Sequence, residues 1–238
     1  MDLSIIIPVF NEQSKIRRDI EQTDHFLMQA KLAGEIIIVD DGSVDNSAQI
    51  AQNTPVSKST KLHVFRYDQH HGKGYAVRTG VLKSVAEYVM FMDSGGNVPH
   101  HYILIGLELI KKSTCDIAMG SRRLPESIIH KDLIWHRKIS SALFRKLVRS
   151  CLKLPDRLSD TQCGFKIYKG EIARQLYRQC ATEGFMFDVE IILRAEKRGY
   201  RLKEFPIEWT CDRDSRLSLL ATPEILKELI SIKRTITR

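Results

Sequence analysis

The sequence predicts an α/β fold with a mostly parallel central sheet covered by helices on both faces. Short apolar, β-branched runs alternate with helical patterns, as βαβ units do. Most of those runs also lack the polar alternate positions that a water-facing sheet surface would show. At 238 residues the chain can build one sizeable core, so a single domain spanning residues 1–238 is expected.

Strands are expected at Leu3 to Val9, Glu35 to Asp40, Leu62 to Tyr67, Tyr88 to Asp93 and Cys115 to Gly120. The helices between them are Glu12 to Ala33, Val44 to Asn53, Gly74 to Ala86 and Pro99 to Lys112. Pro99 suits a first helical turn, and the polar stretch Thr54 to Lys61 reads as a loop. After Gly120 the alternation lapses until Arg201 to Trp209, so the second half should form a lip over the sheet.

Two amphipathic helices are expected in that half. In Ile134 to Leu152, the residues Trp135, Ile139, Leu143, Leu147 and Cys151 recur every fourth position, bordered by Lys138, Arg145 and Arg149. In Pro223 to Arg234 a second stripe runs through Ile225, Leu226, Leu229, Ile230 and Ile232, with Thr222 as N-cap. Each stripe either packs on the sheet or lies in a bilayer interface, where cations meet anionic head groups.

Composition narrows the function classes. The five cysteines form no C-x-x-C pair or metal-ligand spacing, which argues against a disulfide framework or zinc site and for a reducing, intracellular setting. The start of the chain lacks signal-peptide features, and no apolar run approaches the about 20 residues of a membrane span. Residues 122–157 hold ten Lys/Arg against three Asp/Glu, a net of seven of the chain's eight excess positive charges. An anionic partner fits that segment as well as a solvated helix does. A nucleic acid is not expected, because base-stacking aromatics are sparse there and no recognition motif is present.

In an open parallel sheet, ligands gather at the carboxyl ends of the strands. The first strand leads into Asn11-Glu12, which suit either a ligand or a helix start. The second leads into Asp40-Asp41-Gly42-Ser43, where Asp40 can accept hydrogen bonds from a nucleobase or ribose and Gly42 permits close backbone approach. His71-Gly72-Lys73-Gly74 fails both the P-loop and the dinucleotide pattern, leaving a basic turn at a helix N-terminus that suits a diphosphate. Asp93, beside Ser94-Gly95-Gly96-Asn97, suits a divalent cation bridging a diphosphate, or a simple turn.

Taken together, Ile7-Pro8-Val9-Phe10-Asn11-Glu12, Ile38-Val39-Asp40-Asp41-Gly42-Ser43, His71-Gly72-Lys73-Gly74-Tyr75-Ala76-Val77-Arg78-Thr79-Gly80 and Phe91-Met92-Asp93 resemble glycosyltransferase family 2 with its GT-A fold. The likeness continues through Gly120-Ser121-Arg122, Asp160-Thr161-Gln162-Cys163-Gly164-Phe165-Lys166, Phe187-Asp188-Val189-Glu190 and Glu204-Phe205-Pro206-Ile207-Glu208-Trp209. These later motifs are most similar to the dolichyl-phosphate glucosyltransferase and polyprenyl-phosphate sugar transferase branch.

The resemblance implies a nucleotide-sugar-binding half (1–120) and an acceptor half (121–238). Pro8, Asn11, Glu12, Asp40, Asp41, Gly42, Lys73, Asp93 and Ser94 would meet the nucleotide-sugar, and Arg122 and Arg137 would face phosphates. Asp188 and Asp160 would orient or assist the acceptor, each with a structural alternative as a helix start or turn cap. The implied reaction is inverting transfer of a sugar, glucose from UDP-glucose by preference, to a polyprenyl or dolichyl phosphate. The implied place is the cytoplasmic face of a membrane, bound peripherally, and a membrane partner protein is left open.

One departure stands out. The family's Asp-x-Asp is Asp93-Ser94-Gly95 here, so only Asp93, helped by Asn97, is left to bind Mg²⁺ or Mn²⁺, and weak binding is expected. This motivates two alternatives: a nucleotide-sugar-binding protein with weakened or lost catalysis, and a transferase to a soluble sugar acceptor.

Overall fold

The computed structural model describes residues 1–130, 135–210 and 223–236, apart from the side chains of 135–141 and 143. In chain order the elements are β1 (Leu3–Val9), α1 (Ile16–Gln29), β2 (Gly34–Asp40), α2 (Ser47–Gln52), β3 (Thr60–Arg66), α3 (Lys73–Lys83), β4 (Tyr88–Met92) and α4 (Tyr102–Lys111). They continue with β5 (Ile117–Ser121), β6 (Ile128–Ile129), α5 (Trp135–Leu152), β7 (Phe165–Lys169), α6 (Gly170–Arg178), α7 (Phe187–Lys197), β8 (Leu202–Pro206), β9 (Glu208–Trp209) and α8 (Pro223–Ile236).

Seven strands form one sheet in the order β3-β2-β1-β4-β7-β5-β8, while β6 and β9 make a small separate parallel pair. Only β7 runs antiparallel to its neighbours β4 and β5; the remaining pairings in the sheet are parallel. The chain lays β2 and β3 on one side of β1 and then crosses to place β4 on the other. That reversal opens a crevice at the carboxyl edge of β1, where doubly wound sheets bind their ligands.

Helices cover both faces, as the strand composition requires. Ile16, Ile20 and Leu27 of α1, Ala51 of α2 and Ile103, Leu107 and Ile110 of α4 pack on one face. The other face carries Val77 and Val81 of α3 and buried residues from α5, α6, α7 and α8. Strand residues such as Ile5, Ile7, Ile36 and Ile38 line the first face and Ile6, Ile37, Val39 and Phe91 the second.

The second half does more than form a lip, because β7 and β8 complete the sheet. The amphipathic faces are also set differently from the expected stripes. In α5, Phe144, Val148 and Leu152 are buried while Leu147 stands 46% exposed, so the core side lies one residue from the expected register. In α8, Ile225, Leu229 and Ile232 are buried and Leu226 and Ile230 are exposed, which divides the stripe between core and surface. The side chains of Trp135, Ile139 and Leu143, and Thr222 as a cap, lie outside the described residues. Pro99 precedes α4 instead of opening it, its carbonyl accepting the Tyr102 N–H at 3.2 Å.

Candidate active site

The crevice is built from strand ends and the loops they launch. Asn11 follows β1 in a left-handed conformation, φ 53°, one of the few non-glycine residues that tolerate it. Its N–H donates to Ser43 Oγ at 2.8 Å and its Oδ1 accepts from the Val44 N–H at 2.9 Å, tying the β1 and β2 loops together. The Glu12 N–H donates to Ser47 Oγ at 2.8 Å, and its carboxylate pairs with Lys15 at 3.3 Å. Pro8 lies within β1, paired in register with Val39.

Asp40, at the end of β2, is fully buried. One oxygen accepts the Ser43 N–H at 2.7 Å, and among the described residues Oδ2 has no hydrogen-bond partner. Leaving a buried carboxylate oxygen unpaired is costly.

Asp41 has a different role from the one its motif suggests. Its oxygens accept the N–H groups of His71 and Gly72 at 2.9 and 2.7 Å and pair with His70 at 2.9 Å, so it shapes the basic turn from inside. Burial pushes its carboxyl above the usual range despite these bonds. Gly42 is likewise a fold requirement: at φ 78°, a side chain there would lie 2.7 Å from the Gln69 backbone.

The N-terminus of α3 is not an open anion site. The Gly74 and Tyr75 N–H groups donate to the Gly184 and Glu183 carbonyls at 3.2 and 3.0 Å. What this turn offers a phosphate is the Lys73 side chain, whose Nζ lies 2.5 Å from Asp93 Oδ1. Burial depresses the Lys73 ammonium, but Asp93 and Asp188 more than offset it, so the group stays charged with a raised pKa.

Beneath this pair lies a second one. Lys166, from the antiparallel strand β7, places Nζ 2.8 Å from Asp188 Oδ1 and donates to the Cys163 carbonyl at 2.6 Å. The two side chains are only 1% and 4% exposed. Both ammonium groups lie over the Phe91 ring, Lys166 at 5.3 Å and Lys73 at 6.0 Å. Burial drives the Asp188 carboxyl upward, more than Lys166 and Lys73 pull it down. Lys166 sits inside a recognised motif, yet the sequence alone gave no sign of its role, because its partner is 22 residues away.

The turn after β5 brings arginine to the site. Arg122 forks onto Asp160 with contacts of 2.6 and 2.8 Å, and its N–H adds a third at 3.1 Å. Burial pushes the Asp160 carboxyl up, but the adjacent guanidinium outweighs it and holds the pKa at about 2. The Arg122 guanidinium also lies 5.3 Å from the Trp209 ring centre. The Asp160 N–H donates to Glu204 at 2.6 Å, fixing the loop. Arg123 and Arg145 are both depressed by burial, Arg145 to about 10, with Arg122 adding repulsion. The carboxylate that attracts both is Asp160, already forked by Arg122. The Arg137 side chain lies outside the described residues.

The segment after Asp93 differs from what its motif implies. Ser94, expected against the nucleotide-sugar, donates its hydroxyl to Asp19 of α1 at 2.8 Å, and the Gly95 N–H meets the same oxygen at 2.8 Å. Gly95 and Gly96 have φ of 108° and 62°. A side chain at Gly95 would meet backbone strain of about 1–3 kcal/mol, so restoring the missing acid also requires a different turn. Gly164 clears the space for Asp93, since a Cβ there would fall 2.2 Å from its carboxyl carbon.

A divalent cation here would have Asp93 as its contact in the chain. Asp93 is the one carboxylate at the expected position and is already paired with Lys73. Among the described residues, no group of three or more His, Cys, Asp and Glu side chains is gathered to hold a metal. The Asn97 carbonyl accepts the Thr210 N–H at 2.9 Å, which ties its loop to the strand pair β6-β9.

The mostly parallel sheet with its antiparallel β7, and a crevice holding acids at three strand ends, define the GT-A class of sugar-transferring enzymes. The family model for glycosyl transferase family 2 matches residues 4–176, and the chain belongs to that family. It is a glycosyltransferase.

A dolichyl-phosphate beta-glucosyltransferase of Dictyostelium discoideum is 29% identical over 246 residues, covering 97% of this chain and 73% of that protein. The Drosophila melanogaster dolichyl-phosphate beta-glucosyltransferase is 30% identical over 230 residues, covering 92% and 70%. Among solved structures, glucosyl-3-phosphoglycerate synthase of Mycobacterium tuberculosis in complex with UDP superposes with a TM-score of 0.72 at 16% identity, covering 97% of this chain and 79% of that one. The same enzyme has been solved with Mn²⁺, UDP-glucose and phosphoglyceric acid. At that identity the likeness establishes the fold.

Proposed function

We propose that this enzyme moves a sugar from a nucleotide-sugar, glucose from UDP-glucose, to a polyprenyl or dolichyl phosphate with inversion. The observation that carries the acceptor class is that Asp160 and Asp188 are both locked in ion pairs, with Arg122 and Lys166. A sugar hydroxyl needs a general base to take its proton, whereas a phosphate arrives already anionic. A site whose candidate acids are committed suits the phosphate. The names of the sequence relatives support the same reading.

On this reading Asp40 Oδ2 accepts a hydrogen bond from the nucleobase or ribose, and Lys73 meets the diphosphate. The acceptor phosphate is gripped by Arg123 and Arg145, whose charges exceed what Asp160 alone can balance. Its oxygen attacks the anomeric carbon, the bond to the nucleoside diphosphate breaks, and that diphosphate departs with the electron pair. The residues of the chain position both anions and stabilise the leaving group. A divalent cation of the kind found with related folds would add charge at the diphosphate, with Asp93 as its contact and Lys73 as its competitor.

No described helix is long and apolar enough to cross a membrane. An anionic membrane surface would meet α5 and α8, which pack together and expose Leu147, Leu226 and Ile230. Lys146, Lys227 and Arg234 are exposed on the same helices. Vesicles containing phosphatidylserine should co-sediment the protein at low salt and release it as ionic strength rises. Equal recovery with neutral vesicles, or none with either, would sink the attachment.

The donor is tested by thermal stability against UDP- and GDP-sugars, with and without Mg²⁺ or Mn²⁺. A ligand held only by the folded state stabilises it by RT ln(1 + [L]/Kd), about 2.7 kcal/mol at a hundredfold excess over Kd. A shift with UDP-glucose is expected, followed by its consumption when a polyprenyl phosphate is added. Binding without consumption would favour the reading prompted by Gly95, a donor-binding protein with lost catalysis. Consumption with a soluble sugar alone would favour the other acceptor class, and no shift with any donor would remove the donor site.

A further inference from the structure

The C-terminal helix α8 reaches the active site through one carboxylate. Glu228 accepts the Gly184 N–H on Oε1 at 2.7 Å and the Met186 N–H on Oε2 at 3.2 Å. The approach is close enough that a Cβ on Gly184 would lie 2.4 Å from Glu228 Oε1. The segment so held, residues 181–187, joins α6 to α7 and touches the site at both ends. Its Glu183 and Gly184 carbonyls hold the Tyr75 and Gly74 N–H groups, fixing the first turn of α3, which carries Lys73. Its far end is the first turn of α7, which carries Asp188.

The packing on this segment leaves little slack. Side chains at Gly72 and Gly74 would collide with the Glu183 and Thr182 carbonyl oxygens at 2.6 and 2.7 Å. Glu190 grips the beginning of the segment, accepting the Ala181 and Thr182 N–H groups at 3.0 and 2.7 Å. Arg78 donates to the Cys180 carbonyl at 2.7 Å. Glu228 is thus the matching grip at the end that enters α7, and it lies beyond the residues 4–176 that match the family model.

We propose that Glu228 is a positioning residue for sugar transfer: by clamping Gly184 and Met186 it seats Lys73 against Asp93 and Asp188 against Lys166. Carboxylate hydrogen bonds to two backbone donors are charge-assisted, and each exceeds a neutral bond in strength. Without them the two N–H groups lose their partners and the carbonyls facing α3 lose their fixed geometry. The proposal rests on Lys73 serving the donor, as set out above.

The test compares Glu228→Ala, Glu228→Gln and Leu229→Ala in the full chain, below every melting transition. Leu229 is 5% exposed in the core beside the clamp, so its truncation loosens α8 while leaving Glu228 in place. The expected result is UDP-glucose binding weakened about tenfold in Glu228→Ala, the equivalent of one or two lost hydrogen bonds. Glu228→Gln keeps a carbonyl acceptor and should lie within about threefold of the wild type, and Leu229→Ala should bind normally despite a lower Tm. Amide exchange, which needs no donor, should quicken at Gly74 and Tyr75 in Glu228→Ala and not in Leu229→Ala.

Unchanged exchange at Gly74 and Tyr75 in Glu228→Ala would overturn the proposal, as would equal effects of Glu228→Ala and Leu229→Ala. Should Glu228→Ala fail to fold, exchange in Glu228→Gln, intermediate at Gly184 and Met186, carries the test, and wild-type exchange there overturns it. Faster exchange at Gly74 and Tyr75 with no donor binding even in the wild type would support the clamp while overturning the donor reading.

Discussion

Asp188→Ala should cost about 3–5 kcal/mol of stability, because it strips the buried Lys166 ammonium of its counter-charge and of the carboxylate oxygen it donates to. Lys166 is 1% exposed, and its remaining hydrogen bond is to the Cys163 carbonyl. Urea unfolding measures the loss. The double variant Lys166→Met/Asp188→Asn removes both charges and should recover most of it, since buried pairs gain little over apolar replacements. Activity should stay low in both. A loss below about 1 kcal/mol in Asp188→Ala would show that the pair is not holding this corner.

The pH dependence follows from the direction of the Asp188 shift. Burial raises its folded pKa above the unfolded value, so the folded state binds the proton more tightly. The associated stability is fully present below the unfolded pKa of about 3.9 and is lost as pH rises through the folded pKa. Asp188→Asn should abolish that component and flatten stability across the window above about pH 4.

Lys73→Met should abolish donor-dependent stabilisation and lower kcat/KM by about 10²–10³, the usual scale for removing one preorganised contact to developing charge. Stability should fall less than in Asp188→Ala, because the Lys73 and Asp93 side chains are 21% and 37% exposed whereas Lys166 and Asp188 are almost wholly buried. Lys73→Arg should not restore turnover, because a planar fork cannot replace a point charge 2.5 Å from Asp93. Isothermal titration with UDP-glucose and steady-state kinetics separate the two effects, and a variant that binds donor and turns over like the wild type would refute the role of Lys73.

Much of this architecture is legible in the sequence. The apolar runs of β1, β2 and β4 announce themselves because strands buried on both faces must be apolar throughout, and the acids at their ends lie where a parallel sheet gathers ligands. β7 was hidden for the opposite reason. Phe165–Lys169 carries two lysines, and a strand containing a fully buried Lys166 looks polar until Asp188 arrives from α7 to neutralise it.

Local pattern also could not tell a ligand-facing acid from a structural one. Asp40 and Asp41 are adjacent and both buried, yet among the described residues one leaves an oxygen without a partner and the other is consumed by the His71 and Gly72 N–H groups, 30 and 31 residues ahead. The registers of α5 and α8 escaped similarly, because an apolar stripe fixes which residues are greasy but not which of them meets the sheet.

The sequence by itself determined the alternating architecture, the family and the strand ends where acids gather, since periodicity and short motifs are local properties. Only the tertiary structure decided which charges are spent on one another: Lys73 on Asp93, Lys166 on Asp188, Arg122 on Asp160 and Glu228 on the segment before α7. Such pairings join residues far apart in the chain, and in a low-dielectric interior their worth depends on distance and burial, which no linear spacing encodes.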